Sequence, residues 1–279
     1  MFYEIVSTFV ETLKIILMIT TLMVIIEFLE LKFKDKLQNL ITMKPVNQYV
    51  MASLLGVVPG CMDAFFIVSL YVHGLVGFGA LVSVMLSTAG DEAFIMLAII
   101  PKEALLIFAI CMILGMIGGF TVDKIAKMIN LKTCQPCTIE IHEVDLNFTH
   151  FFREHVYGHI LKKHVPKLFL WIFFTLQVVN YLTVNFDLIS IISSLSKLTL
   201  IIIAALIGII PESGPHLIFL ILYSRGIIPF SVLLVNTLSQ DGHGLLPLLS
   251  YSVKDTIYVQ IFTTIFSLIV GLLIFLLGF

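Results

Sequence analysis

Charge is scarce in this chain. Of its 279 residues only 12% are Asp, Glu, Lys or Arg, about half of the roughly 25% carried by a soluble globular domain. A soluble enzyme, a secreted domain and a nucleic-acid binder are thereby excluded. The formal net charge of −2 leaves no basic field for a polyanion either. Cysteine is sparse as well: Cys61, Cys111, Cys134 and Cys137 are too few and too scattered for a disulfide framework. Catalytic signatures are missing. There is no H-E-x-x-H and no G-x-S-x-G, and His150-Phe-Phe-Arg-Glu154-His155 is one residue too long for H-x-x-E-H. Thr88-Ala89-Gly90-Asp91 lacks the first glycine of the G-x-G-D motif of intramembrane aspartyl proteases. Pro59-Gly60 is followed by Cys61-Met62-Asp63, without the arginine with which a membrane lipid-pyrophosphate phosphatase would hold its substrate. Enzyme function is the weaker class.

Apolar sequence is abundant: 59% of residues are hydrophobic and the mean hydropathy is +1.09. At ~20 residues per crossing of ~30 Å of hydrocarbon, the length holds about eight to ten spans and little else. The first run, about Ile5 to Leu31, is too long for a signal-peptide core and lacks a small-residue cleavage site, so it reads as a retained membrane helix. The fold class expected is an all-α polytopic membrane protein.

An internal repeat organises the chain. Ala52-Ser53-Leu54-Leu55-Gly56-Val57-Val58-Pro59 lies without a gap over Ala204-Ala205-Leu206-Ile207-Gly208-Ile209-Ile210-Pro211, an offset of 152 (204 − 52). The register continues through Leu70-Tyr71 over Leu222-Tyr223, Gly74 over Gly226, Leu86-Ser87 over Leu238-Ser239, Gly90 over Gly242 and Lys102-Glu103 over Lys254-Asp255. Thirteen of the 47 positions from 52 to 98 are identical, and they include Pro, Gly and Tyr that chance likeness between aliphatic runs does not match. The division expected is a transmembrane repeat over 1–122, a linker over 123–167 and a second repeat over 168–279. Lysine and arginine load the loop 32–46 and the linker, whereas 185–197, the second half's counterpart of the first loop, holds only Lys197. By the positive-inside rule the first two are cytoplasmic and the third external. Each half must then cross an odd number of times, which makes the halves inverted and one broken segment of each re-entrant.

Four breaks interrupt the apolar segments: Pro59-Gly60-Cys61-Met62-Asp63, Thr88-Ala89-Gly90-Asp91-Glu92, Pro211-Glu212-Ser213-Gly214-Pro215-His216 and Ser239-Gln240-Asp241-Gly242-His243-Gly244. Proline removes an amide donor and glycine permits non-helical backbone. Unwound backbone at membrane depth survives only inside protein or against a water-filled cavity, and paired discontinuous helices point to a transporter site near the midplane. The breaks carry Asp63, Asp91, Glu92, Glu212 and Asp241. At ~2.5–3.5 kcal/mol each, five unpaired acids in lipid would cost ~12–18 kcal/mol, which matches or exceeds the ~5–15 kcal/mol net stability of a typical protein. The plainer reading makes single acids caps of half-helices; their recurrence at breaks of both halves favours a shared site. With His216, His243, Asn236 and Gln240 they form an oxygen-and-nitrogen donor set, in which Cys61 is the one soft ligand. Such donors suit Mn(II), Fe(II), Co(II) or Zn(II) better than Cu(I) or arsenite.

The linker holds His142, His150, His155, His159 and His164 together with Cys134-Gln135-Pro136-Cys137. His155 and His159 stand i, i+4, one face of a helix. A solvated linker and an accessory metal site built from Cys134, Cys137, His155 and His159 are both compatible with this pattern.

The runs GVVPGCMDAFFIVSLYVHGLVGFGALVSVMLSTAGDEAFIMLA and LIGIIPESGPHLIFLILYSRGIIPFSVLLVNTLSQDGHGLLPLL resemble the paired signatures of a prokaryotic family of heavy-metal exporters. Its members have about ten helices and are described as manganese transporters or arsenic-efflux proteins. The resemblance places Gly90-Asp91-Glu92, Pro211-Glu212-Ser213-Gly214-Pro215-His216 and Gln240-Asp241-Gly242-His243-Gly244 on the family's motifs, and implies export of a divalent metal. The expectation is a secondary transporter in a prokaryotic inner membrane, with lipid and the metal ion as its partners, no nucleic acid, and a homo-oligomer left open. No cofactor is expected to be permanently bound; the metal is cargo, Mn(II) first, with protons as coupling ion. Efflux of arsenite or of an organic solute is the alternative.

Overall fold

A computed structural model describes residues 5–10, 12–17, 19–21, 24–25, 45–60, 62–131, 133, 157, 161–162, 165–185, 194–211 and 213–277, and among them all regular structure is helical. The helices are α1 (Pro45–Gly56), α2 (Met62–Val72), α3 (Phe78–Ser87), α4 (Glu92–Ile99), α5 (Pro101–Met128), α6 (Val165–Asn185), α7 (Lys197–Gly208), α8 (Ser213–Ser224), α9 (Phe230–Ser239), α10 (Leu245–Tyr251) and α11 (Val253–Leu276). Residues 5–10 and 12–17 are helical too. Among the described residues three stretches are long and apolar enough to cross a membrane: Phe78–Ile99, Pro101–Met128 and Val253–Leu276. The protein is a multi-pass helical membrane protein.

Local chemistry sets the boundaries. Pro101 opens α5 at its first turn, where the missing amide costs nothing. Ser196 caps α7 by accepting from the Thr199 amide at 3.0 Å, and Ser252 caps α11 by accepting from the Asp255 amide at 3.1 Å. Helix starts recur at the spacing of the sequence repeat: Lys197, Phe230 and Val253 open their helices 152 residues after Pro45, Phe78 and Pro101.

Helix directions follow from the contacts at helix ends. Gln48, in the first turn of α1, accepts from the Gly77 amide just before α3 at 3.0 Å, and Gly56 at the end of α1 lies against Ser87 at the end of α3. The two helices therefore run parallel, and α2 carries the chain back to the end from which α1 set out. Against them runs α5: its Asp123 accepts from Tyr49 Oη at 2.6 Å and from the Gly79 amide at 2.8 Å, while Gly115 lies against Ser87. In the second half, Asn236 donates to the Ala204 carbonyl at 3.0 Å and Gly208 lies against Ser239, so α7 and α9 are again parallel. Two helices, α3 and α9, are buried along almost their whole length, and neither carries a charged residue. They pack on each other at the centre, with α4 on α8, α10 on α2 and α11 on α3.

Lipid supplies no hydrophobic drive between helices, so small residues and hydrogen bonds must hold them. Ser83 and Ser87 turn their hydroxyls back to the Gly79 and Ser83 carbonyls at 2.9 and 2.7 Å, which leaves a smooth seam for Gly56, Gly115 and Gly119. The polar stretch 123–167 opens as helix, since α5 continues to Met128. Asp123 is satisfied by Tyr49 and Gly79, and Lys124 lies 5.0 Å from the Phe120 ring with its stem along the helix. Cys134, Cys137, His155 and His159 lie outside the described residues.

Candidate functional site

Two helix breaks meet at the centre of the molecule, and each is built the same way. Thr88 ends α3 in an extended conformation (φ −80°, ψ 137°), and Gln240 ends α9 likewise (φ −81°, ψ 123°). Two residues later, Gly90 and Gly242 take φ of 53° and 55°, a left-handed region that glycine enters without steric cost. A Cβ placed on Gly90 would lie 4.0 Å from the Gly242 Cα, so the two backbones are in contact. The break near Pro59 joins them, since the Gly60 amide donates to the Gly90 carbonyl at 3.2 Å.

The acids of both breaks are out of reach of water. Glu92 opens α4 and is fully buried; its Oε2 accepts from Gln240 Nε2 at 2.8 Å, a bond that ties one half's break to the other's. Asp241 is 2% exposed, and its Oδ2 accepts from Thr263 Oγ1 of α11 at 3.4 Å. Glu92 Oε1 and Asp241 Oδ1 have no hydrogen-bond partner among the described residues. Asp91 stands at the N-cap position of α4 and is buried, yet its side chain makes no capping hydrogen bond. Asp63 is buried in the first turn of α2.

Histidine and amide form a second cluster. His216 in α8 is fully buried between Asn236 Oδ1 (3.3 Å from Nδ1) and the Ile210 carbonyl (3.1 Å from Nε2). Because Asn236 spends its Nδ2 on Ala204, both imidazole nitrogens face oxygen acceptors. Binding a metal would require His216 to give up one of these contacts. The two central breaks are chemically unequal. Gly244 stands 152 residues after Glu92, and a Cβ on it would come within 2.5 Å of the Ala64 Cβ. Ala64 itself corresponds to His216 in the repeat. The junction is thus polar where α4 meets α8 and tightly filled where α10 meets α2.

Cys61 and Glu212 lie outside the described residues, as does the side chain of His243, whose backbone is in the short helical turn Gly242–Gly244. Among the described residues no three His, Cys, Asp or Glu side chains form a metal-ligating group. What is brought together is a pair of acid-bearing breaks whose carboxylates are met by the Gln240 amide and the Thr263 hydroxyl. Thr263 escaped the sequence reading. It belongs to a stripe of small and polar buried residues on α11 (Asp255, Thr256, Val259, Thr263, Ser267, Gly271). That stripe repeats every three or four residues and is therefore visible in the sequence.

Such an arrangement defines a class: a multi-pass helical membrane protein with broken helices and buried carboxylates at its core, which are features of solute pathways. The model of the family described as "Putative, 10TM heavy-metal exporter" matches residues 3–166 and 165–278, nearly the whole chain, and the chain belongs to that family. The family is one of metal-efflux transporters, which is not an enzyme class. No curated protein and no solved structure matches the chain.

Proposed function

We propose that the protein exports a divalent first-row transition metal, Mn(II) above others, across a prokaryotic cytoplasmic membrane in exchange for protons. The cargo site is the junction of the Gly90 and Gly242 breaks. The observation that carries this reading is the 2.8 Å bond between Gln240 and Glu92, which spans the two breaks while Glu92 Oε1 and Asp241 Oδ1 remain buried without hydrogen-bond partners among the described residues. A buried carboxylate needs a countercharge, and a dication or protons supply it from either side in turn. Carboxylate, amide and hydroxyl oxygens favour a hard ion such as Mn(II). Asp91, Glu212, His216, His243, Asp63, Cys61 and Asn236 belong to the same proposed pathway.

The topology proposed is two inverted halves of three crossings each, with α1–α2 and α7–α8 as re-entrant hairpins. Supporting it, Gln48 and Gly77 place both ends of the first hairpin at one level, beside Asp123 at the end of α5. Tyr71 at the end of this hairpin meets Asp255 at the start of α11, so the second half begins its last crossing where the first half ends its own. Loops 32–44 and 123–167 then share one face, the cytoplasmic one by their lysine content.

The test is transport in proteoliposomes of the purified full chain. Mn(II) uptake driven by an opposing proton gradient is expected, with arsenite not transported. Arsenite flux without Mn(II) flux would overturn the cargo. For the linker, deletion of 134–159 is expected to lower the response to external metal while preserving transport. Loss of all transport with normal membrane insertion would put the linker in the main pathway.

A further inference from the structure

One tyrosine–carboxylate pair links the halves, and the repeat supplies its counterpart. Tyr71, near the end of α2, donates to Asp255 Oδ2 in the first turn of α11 at 2.9 Å, and both residues are buried. At the same offset stand Tyr223, near the end of α8, and Glu103, in the first turn of α5. Glu103 lies within electrostatic reach of Tyr223, yet among the described residues no hydrogen bond joins them, and both are only half-buried. The tyrosines themselves are seated alike: Tyr71 lies 6.3 Å from the Phe78 ring and Tyr223 lies 6.2 Å from the Phe230 ring. What differs is the approach of the opposing long helix. α11 packs directly on α3, with Phe262 edge-on to Phe78 at 6.0 Å. α5 makes no comparable contact with α9, and Ile110 stands at the position corresponding to Phe262.

We propose that Tyr71–Asp255 and Tyr223–Glu103 are reciprocal gate latches that close alternately on the two sides of the central junction, the first being shut in this structure and the second parted. The proposal rests on the transporter reading above and adds its gating residues. In inverted halves the two pairs lie at opposite faces of the membrane, with the Gly90–Gly242 contact between them. Closing one latch requires α11 to come down on α3; closing the other requires α5 to come down on α9. Rocking of one half against the other performs one of these while undoing the other. A phenol donating to a carboxylate suits this use, since the bond is strong when dry and readily replaced by water when the face opens. With the latch on the lysine-rich face shut, the acids of the junction are buried in this structure.

The experiment uses the full chain in proteoliposomes with Cys111, Cys134 and Cys137 replaced and Cys61, a residue of the proposed pathway, retained. It compares the pair Tyr71→Cys with Asp255→Cys, the pair Tyr223→Cys with Glu103→Cys, and all four together, each treated with a short bifunctional thiosulfonate. Each pair is expected to cross-link, each link to stop Mn(II) transport, and reduction to restore it. The four-cysteine protein should take one link or the other in a given molecule. Both links in one molecule, or full transport through either link, would overturn the proposal. Exclusive links in a protein that moves no Mn(II) would support the latches and count against the cargo. A second measurement leaves the native cysteines in place. Tyr71→Phe is expected to speed amide hydrogen exchange at 253–258 and slow it at 101–106, each by about tenfold, the effect of one hydrogen bond. Unchanged exchange at 101–106 would show that the two pairs are not coupled.

Discussion

Replacing Asp241 by Asn is expected to abolish metal transport while leaving as much folded protein in the membrane as the unaltered chain, and protein at least as resistant to denaturation. The two halves of this result have separate causes. Asn has the shape of Asp, and its Oδ1 still accepts the bond from Thr263 Oγ1, so packing is kept. The change removes a carboxylate that is 2% exposed and has an oxygen without a hydrogen-bond partner among the described residues. An ionisable group at such depth costs ~2.5–3.5 kcal/mol in a membrane helix, and deleting it relieves that cost. For the cargo the sign is opposite. Unit charges 4 Å apart attract by about 4 kcal/mol at an effective dielectric of 20, and a dication feels twice that. Losing a fraction of this gain lowers transport by at least about 100-fold, which requires under ~3 kcal/mol. Glu92→Gln is expected to behave in the same way. Gln240→Leu, which removes the donor that orients Glu92, should weaken metal affinity by about 10–100-fold without eliminating transport, the usual size of an outer-shell effect. The measurements are Mn(II) flux in proteoliposomes and thermal unfolding of the same preparations. A variant that transports normally would remove Asp241 from the pathway; one that fails to fold would make the acid structural.

Much of this arrangement is legible in the sequence because proline and glycine punctuate it at a fixed offset. Helix breaks at Pro59, Gly90, Pro211 and Gly242 follow from backbone chemistry that acts locally, and α3 and α9 occupy equivalent positions in the repeat. The end of α5 is less legible. Asp123 and Lys124 look like the start of a solvated linker, whereas the helix continues because Tyr49 and Gly79, distant in sequence, satisfy Asp123. Among the site residues, ionisable groups in apolar runs stand out, since their desolvation cost demands a purpose. Which of them face one another depends on how the halves dock, and no local pattern encodes that. The bond from Gln240 to Glu92 joins residues 148 apart, and that from Tyr71 to Asp255 joins residues 184 apart. His216 shows the limit from the other side: its motif marks it as a ligand, while its two nitrogens are held by Asn236 and by the carbonyl of Ile210.

The packing that positions the Gly90 break is expected to fail at Gly119. A Cβ there would come within 1.8 Å of Ser83 Oγ and 2.5 Å of the Gly79 carbonyl oxygen. The hydroxyl can rotate away; the carbonyl belongs to the backbone of α3 and cannot. Gly119→Ala must therefore push α5 from α3, an overpacking defect of ~1–3 kcal/mol. Separation at this level also pulls Asp123, one turn further along α5, from Tyr49 Oη and the Gly79 amide, and leaves buried polar groups unsatisfied at ~1–3 kcal/mol. The neighbouring Gly118 is the control. A Cβ on it would meet Leu86 Cδ1 at 2.2 Å and the Phe266 ring at 3.6 Å, both far ends of side chains that can turn aside. Gly118→Ala is expected to keep a folded, transporting protein, Gly119→Ala to lower its unfolding temperature sharply, and Gly119→Leu to yield none. Detergent-purified protein followed by size-exclusion chromatography and thermal unfolding reads all three. Equal stability of the two alanine variants would mean that α3 and α5 do not touch backbone to backbone. Gly90 would then lack the rigid support that holds it against Gly242, and the junction could not keep two acid-bearing breaks in one place.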